Sequence, residues 1–470
     1  MMKKSGYLLL VIWIALGGIG VFATDSVDIS GRVKFFTSFF VSDNPEGRFF
    51  QHEPGEFSFK RIEARLVFSG RLNKRVSYRL RFDAFSNSGN IIPGNLFPEA
   101  GILGSPFYTE YFELNLYEGN IKVSDFIVKK LDLTVGKQRI QWGAADKVNV
   151  LDVLNPIDFA NFFTFDPDYA YERRPQTALN FEYYLGMASK FQLVWLFQHQ
   201  VAPLPYGYTF LTKNFQAIDE LTVNQSWDPN IADTNFGLRF STLLFNLDTA
   251  LYYYHGNAAV PSLVSLSAGE TVNARFLYPG LQMIGADLSG DLWGMGLWAE
   301  AAWFIPEEVT ASARLPVLLN GTPQFLTQKF HLFEKSYFKY VIGADYHFGS
   351  GFYANIQFLR GFFDEADFSE DTNTFFGISS GQFFGELESY LVSRLKYGNP
   401  AGTLKIGLGS LYEISDSNSF SLLPSLEWKV ADGMLIQAGG FFNLAGDETR
   451  SKFGIFRKDR LLYLSFRLDF

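Results

Sequence analysis

The sequence predicts an all-β chain, a transmembrane antiparallel β-barrel of about 18 strands, with about 16 as the smaller alternative. Three observations predict it. Apolar and polar residues alternate with period two along most of the 470 residues, as strands with one greasy and one wet face require. The connections between alternating segments are short and long by turns. The chain also finishes on Phe470 within an alternating segment. Composition narrows the field further. Hydrophobic residues make up 47% of the chain, which excludes disorder, and the one long apolar run lies at the N-terminus, which argues against a helical bundle. A formal charge of −9 offers no basic face for nucleic acid. With no cysteine, disulfides, thiolate metal sites and cysteine nucleophiles are excluded.

Lys3 and Lys4 precede the apolar stretch 7–22, and Val21-Phe22-Ala23 fits a small-x-small cleavage site. Residues 1–23 therefore read as a secretory signal peptide, leaving 24–470 as one barrel domain with the bacterial outer membrane as its address. No cysteine follows the cleavage position, so no lipid anchor is expected.

Each segment justifies its own place. The first, 27–41, puts Val27, Ile29, Val33, Phe35, Phe39 and Val41 on one face. The second, 57–69, sets Ile62, Ala64, Leu66 and Phe68 against Arg61, Glu63 and Arg65. The third, 74–85, sets Val76, Tyr78, Leu80, Phe82 and Ala84 against Arg75, Ser77, Arg79, Arg81 and Asp83. The pattern continues through 107–118, 126–141, 173–185, 188–199, 234–245, 247–256, 276–289, 292–305, 335–348, 351–362, 383–396, 402–414, 419–430 and 433–444. It ends in 459–469, where Leu462, Leu464, Phe466, Leu468 and Phe470 oppose Tyr463, Ser465, Arg467 and Asp469. An arginine facing lipid at mid-depth costs ~2–4 kcal/mol, so Arg61, Arg65, Arg79 and Arg81 belong inside.

Short turns fall at 70–73, 119–125, 186–187, 246, 290–291, 349–350, 397–401 and 431–432. Long loops fall at 42–56, 86–106, 142–172, 200–233, 257–275, 306–334, 363–382 and 445–458, and only 415–418 breaks the alternation. Short periplasmic turns, long extracellular loops and an even strand number are the habit of bacterial barrels. A barrel of this size leaves an aqueous channel.

By that count 142–172 is the third extracellular loop, expected to fold inward and narrow the bore. Leu151, Val153, Leu154, Phe159, Phe162 and Phe163 are the expected anchors. The expected pore-lining and constriction residues are Arg61, Glu63, Arg65, Arg79, Arg81 and Asp83 on the wall, with Trp142, Asp146, Lys147, Asp152, Asn155 and Asp158 on the loop. Asp166 and Asp168 add to its acidity. A basic wall facing an acidic loop would set a transverse field, and rings of charge select ions; the alternative is a set of neighbouring ion pairs that only satisfy one another. Simple parity puts Lys137 and Arg139 on the lipid side, unless a bulge at Gly136 turns them inward. Tyr111, Tyr117 and Trp142 are candidates for an aromatic slide, although interface girdles account for most aromatic residues.

Gly136-Lys137-Gln138-Arg139-Ile140-Gln141-Trp142-Gly143, followed by Asn149-Val150-Leu151-Asp152-Val153-Leu154-Asn155-Pro156, resembles a signature of large outer-membrane barrels similar to the alginate-export type of porin. Stretches 283–303 and 340–362 fit the same pattern. The resemblance implies a channel of this size. Alginate exporters line their pore with arginine, whereas here only strands 2 and 3 are so enriched.

The expected function is passive diffusion of small hydrophilic or carbohydrate-like solutes. The alternative is an export conduit for a lipid, polysaccharide or aromatic compound, working with a periplasmic partner. The five histidines lie singly and outside any nucleophile signature, so no enzyme is expected and no cofactor is implied. The run Asp364, Glu365, Asp367, Glu370 and Asp371 reads as a solvated outer loop, with bound calcium as the sharper alternative. Expected partners are outer-membrane lipid and lipopolysaccharide, the solute, and the assembly machinery reading Phe470.

Overall fold

The computed structural model describes residues 27–45, 51–89, 107–108, 112–162, 164–169, 171–197, 201–203, 220–223, 235–268, 272–319, 322–372, 385–414, 418–446 and 451–470. Residues 1–23, expected from the sequence to be a signal peptide, lie outside them, as do Phe163 and Tyr111.

Eighteen strands form the wall. In chain order they are β1 (Val27–Phe40), β2 (Phe57–Arg71), β3 (Val76–Ser88), β4 (Phe112–Val123), β5 (Leu131–Gln138) and β6 (Gln176–Tyr184). Then come β7 (Lys190–Leu196), β8 (Asn235–Leu244), β9 (Leu247–Asn257), β10 (Gly280–Leu292), β11 (Met295–Pro306) and β12 (Tyr337–His347). Last are β13 (Phe352–Arg360), β14 (Ser389–Gly398), β15 (Leu404–Ile414), β16 (Ser419–Ala431), β17 (Met434–Ala445) and β18 (Leu461–Asp469). Each pairs antiparallel with the next, and β18 pairs back onto β1 from Arg32↔Asp469 to Phe40↔Leu461. The sheet is therefore a closed antiparallel barrel with no free edge.

Closure fixes the two faces. Phe35, Ile62 and Leu464 are about half exposed on the outer face, while Lys34, Glu63 and Asp83 on the inner face are fully buried. The short turns lie at one rim, apart from the short connection 415–418, which falls at the other. The two-residue turns show how tightly the first rim is drawn: Phe245 and Asn246 have φ of 53° and 62°, and Trp293 and Gly294 have 57° and 78°, the left-handed values that match strand twist.

The long connections hold structure of their own. Parts of the fourth, fifth and sixth form a separate five-stranded sheet from Glu220–Val223, Ser262–Ala268, Val272–Leu277, Thr310–Leu319 and Thr322–His331. From the sequence these stretches read as loop, apart from Phe276 and Leu277, which read as the start of the next wall strand. A small core of Val264, Ala311, Ala313, Phe330, Leu332 and Phe368 holds this outer sheet together. Pro279, which cannot donate to a ladder, stands where the outer sheet ends and β10 begins.

Candidate functional site

The third long connection, residues 139–175, packs against the polar inner face of the wall. Its first half is pinned to the arc β7–β11. Trp142 donates through Nε1 to Gln192 Oε1 on β7 at 3.1 Å and packs its ring 5.1 Å from that of Tyr252 on β9. The Glu300 carboxylate on β11 accepts the backbone N–H of Ala145 at 2.6 Å and of Val150 at 2.9 Å. Glycines in this arc make room for the loop. A Cβ on Gly237 would stand 2.4 Å from Trp142, and one on Gly285 would stand 2.3 Å from Leu151.

The second half meets β1–β4 and β18 through charge. Lys34 Nζ lies 2.6 Å from Asp166 Oδ1 and 2.8 Å from Asp168 Oδ2. Arg32 reaches the same Asp168 oxygen at 3.3 Å, and Arg467 lies 3.7 Å from it. Tyr117 sits at a β-bulge of the β3–β4 ladder, donates to Glu172 Oε1, and lies 2.9 Å from the Arg173 carbonyl. A four-residue helix, Phe159–Phe162, is capped by Asp158, whose Oδ1 accepts from Asn161 N at 3.0 Å.

The twelve residues singled out from the sequence fall into distinct groups. Arg65, Arg81 and Glu63 converge with Asp83 on the inner wall: Asp83 binds Arg65 at 2.8 Å and Arg81 at 2.6 Å, and Glu63 binds Arg65 at 3.3 Å. Arg61 is buried among the rings of Phe59, Phe85 and Tyr169 and donates to Asn87 and Asn161. Arg79 stands apart toward the short-turn rim, paired with Glu118 at 2.8 Å. On the loop, Trp142, Asp152, Asn155 and Asp158 are buried. Asp152 binds Arg139 and Arg173, Asn155 brackets the backbone of Ile140, and Asp158 binds Arg174 at 2.8 Å. These four fasten the loop and do not stand on an open aqueous surface. Asp146 and Lys147 line an open space, described below.

Several expectations need correction. The arginines of β2 and β3 do not form a bare basic wall facing the loop, because Glu63, Asp83 and Glu118 on the same strands and on β4 take them up. The loop acids Asp166 and Asp168 are met by Lys34 and Arg32, which lie on the same inner face of β1 and were missed. The run beginning at Asp364 is not fully solvated: Asp364 and Glu365 are buried, with Lys452 Nζ at 2.9 and 2.6 Å. Among the described residues, no group of acidic and histidine side chains is placed to hold a metal ion. Tyr117 and Trp142 are buried and offer no aromatic slide. At Gly136, φ of 121° breaks the parity, and beyond it Arg139 turns to Asp152 at 2.9 Å while Lys137 is buried.

Toward the arc β13–β18 the loop packs less closely: Gln357 on β13 donates to the Asp146 carbonyl at 3.1 Å and Phe165 stacks on Phe441 of β17, and space remains between these contacts. A cavity of about 210 Å³ lies between loop residues Asp146, Lys147, Phe165 and Tyr171 and the wall. Here the wall is built from small and polar side chains, including Gly407 and Gly409 on β15, Ser425 on β16 and Gln437 on β17. The nearest atoms to a Cβ on Gly407 or Gly409 belong to Ser425 and Leu423 of the neighbouring strand, not to the loop. Arg394 and Lys396 on β14 also face this space, and Arg394 reaches Asp146 at 3.6 Å.

The loop's charges feel their surroundings. Burial alone would push the Asp168 carboxyl up, but Lys34, Arg32 and Arg467 outweigh it and hold the group below the ordinary carboxylate range. Asp166 behaves oppositely, because its burial is complete and outweighs Lys34. Burial, then Arg394, pushes the Lys147 ammonium down.

The sequence pattern of the family described as "Protein of unknown function (DUF1302)" matches residues 114–412, more than half of the chain. The chain belongs to that family. The DUF1302 match runs from β4 into β15 and takes in the third connection and the outer sheet. Strands β1–β3 and β16–β18, which supply Lys34, Glu63 and Ser425, lie outside it. No curated protein matches the chain. Solved structures to which it is similar include OccAB1 of Acinetobacter baumannii (10% identity, 94% of this chain and 96% of that chain covered, TM-score 0.48). OprB of Pseudomonas putida is similar at 12% identity, with 94% of each chain covered and a TM-score of 0.43. The outer membrane channel DcaP of Acinetobacter baumannii is similar at 9% identity, with 95% of this chain and 97% of that chain covered and a TM-score of 0.42. These likenesses are likenesses of fold.

Proposed function

We propose that this DUF1302 barrel is an outer-membrane channel through which small hydrophilic or carbohydrate-like solutes diffuse passively, with the third loop setting the bore. The observation that carries the reading is the unequal filling of the lumen. The loop seals the arc β7–β11 with Trp142 and Leu151 over glycines, and leaves the glycines and serines of β15 and β16 uncovered. A barrel of about 18 strands is too wide for wall side chains alone to fill, so space not taken by the loop holds water. The half-exposed apolar outer face is the lipid surface. Phe470 exchanges backbone hydrogen bonds with Gly31 at 2.7 and 3.0 Å, which carries the closing seam one residue past Asp469. A polysaccharide export conduit of the alginate type is less well supported, because the arginines of β2 and β3 are committed to Glu63, Asp83 and Glu118.

Planar-bilayer recording tests the reading. Folded protein is expected to insert with discrete, ohmic current steps, and liposomes carrying it should swell in small sugars. Well-folded protein that gives no steps and no swelling would remove the channel.

A further inference from the structure

The open space beside the loop has a chemical character of its own. Three cations face it, Lys147, Arg394 and Lys396, in a chain whose formal charge is −9. Their carboxylate company is thin. Asp146 is shared with Arg394 at 3.6 Å, and Glu427 lies 4.0 Å from Lys405. Among the described residues, neither Lys147 nor Lys396 has a carboxylate at ion-pair distance; Lys147 Nζ instead lies 5.5 Å from the centre of the Tyr171 ring. Beside the glycine, serine and amide residues of the wall, the lining carries one apolar and aromatic patch. Phe165 stacks on Phe441 with ring centres 4.6 Å apart, and Leu411, Leu423 and Tyr463 extend that surface. The cavity of about 210 Å³ is smaller than the ~300–1,000 Å³ of sites for drug-sized molecules.

A cationic pole beside an aromatic floor in a small, partly desolvated space favours one kind of solute. A hydrated metal cation meets like charge there, and a neutral sugar leaves the lysines without a partner. A polyanion such as phosphate gains from the lysines but wastes the apolar floor. We propose that this space is a binding site for small amphiphilic carboxylates, of which an aryl carboxylate is the type, with Lys147 and Lys396 meeting the carboxylate and the surface around Phe165 and Phe441 meeting the ring. This rests on the channel reading and names the solute class the same passage favours. Charge in so confined a place acts more strongly than in bulk water.

The test uses the full mature chain in planar bilayers, with benzoate, phosphate and benzyl alcohol as probes. Wild-type protein is expected to be anion-selective in a KCl gradient. Benzoate should interrupt its current, while benzyl alcohol and phosphate at equal concentration should not. The double variant Lys147→Gln, Lys396→Gln should still conduct, with its reversal potential moved toward the cation side. Its half-blocking benzoate concentration should rise at least ~tenfold, equivalent to about 1.4 kcal/mol. Lys147→Arg with Lys396→Arg keeps the charge and should keep the block. A wild-type channel that conducts but ignores benzoate, or is blocked equally by phosphate, overturns the inference and leaves the channel standing. So does an unchanged block in the glutamine variant. Folded protein that carries no current at all contradicts the channel reading itself.

Discussion

Lys34 shows what a single buried side chain does in this barrel. Its ammonium is fully buried on β1 and held between Asp166 and Asp168, so the loop carries the counter-charge that lets the wall keep a lysine inside. Removing one partner of such a group is strongly destabilising because the other charge is left bare. The pH dependence follows from Asp168. Its folded-state pKa is lowered, so its contribution to holding the loop is present above the ordinary value of 3.8 and is lost as pH falls below it. Asp166, raised by burial, takes up its proton at higher pH and with the opposite sign, so the loss below 3.8 belongs to Asp168. Channel records should therefore turn noisy on acidification through that window. Asp168→Asn should be noisy already at neutral pH and show no further step, and a variant retaining the step would assign it elsewhere. At this scale the sequence shows half of the site. Period two places Lys34, Arg394 and Lys396 inside as surely as Arg79 and Arg81, so those cations were legible. Their partners were not, because Lys34 and Asp166 lie 132 residues apart and pair only once the loop folds in.

The third connection behaves as an element in its own right, and Glu300 is its main fastening to the far wall. One carboxylate on β11 accepts two backbone N–H groups of the loop, at Ala145 and Val150. Each buried donor left without an acceptor costs about 1–3 kcal/mol. Glu300→Ala should therefore free the segment around Asp146, lower the thermal unfolding temperature and raise open-channel conductance. Glu300→Gln keeps one carbonyl acceptor and should fall between it and wild type. Conductance and melting temperature both equal to wild type in Glu300→Ala would show that the loop is held elsewhere. The apolar anchors Leu151, Leu154, Phe159 and Phe162 were readable as a cluster within one loop. The acids Asp364 and Glu365 were not readable as buried, since Lys452, which neutralises them, comes from the last long connection, close to 90 residues away.

The whole molecule is the most legible level, because closure depends on a pattern every strand repeats. All eighteen wall strands were visible as period-two segments, and the even count brings β18 back beside β1. The outer sheet escaped notice: two of its pairings are hairpins within the fifth and sixth connections, but the two that join different connections are parallel, and nothing local records those. What the molecule does as a whole depends on where the water runs, and the account places it between the loop and β13–β18. The chain has no cysteine, so one can be introduced without background. The direct measurement is the current through Ser425→Cys before and after a charged methanethiosulfonate reagent, with Leu426→Cys, on the lipid side of the same strand, as the control. The account predicts that Ser425→Cys loses most of its current on modification and that Leu426→Cys keeps it. A conducting Ser425→Cys channel that is modified in full yet carries undiminished current would contradict the account.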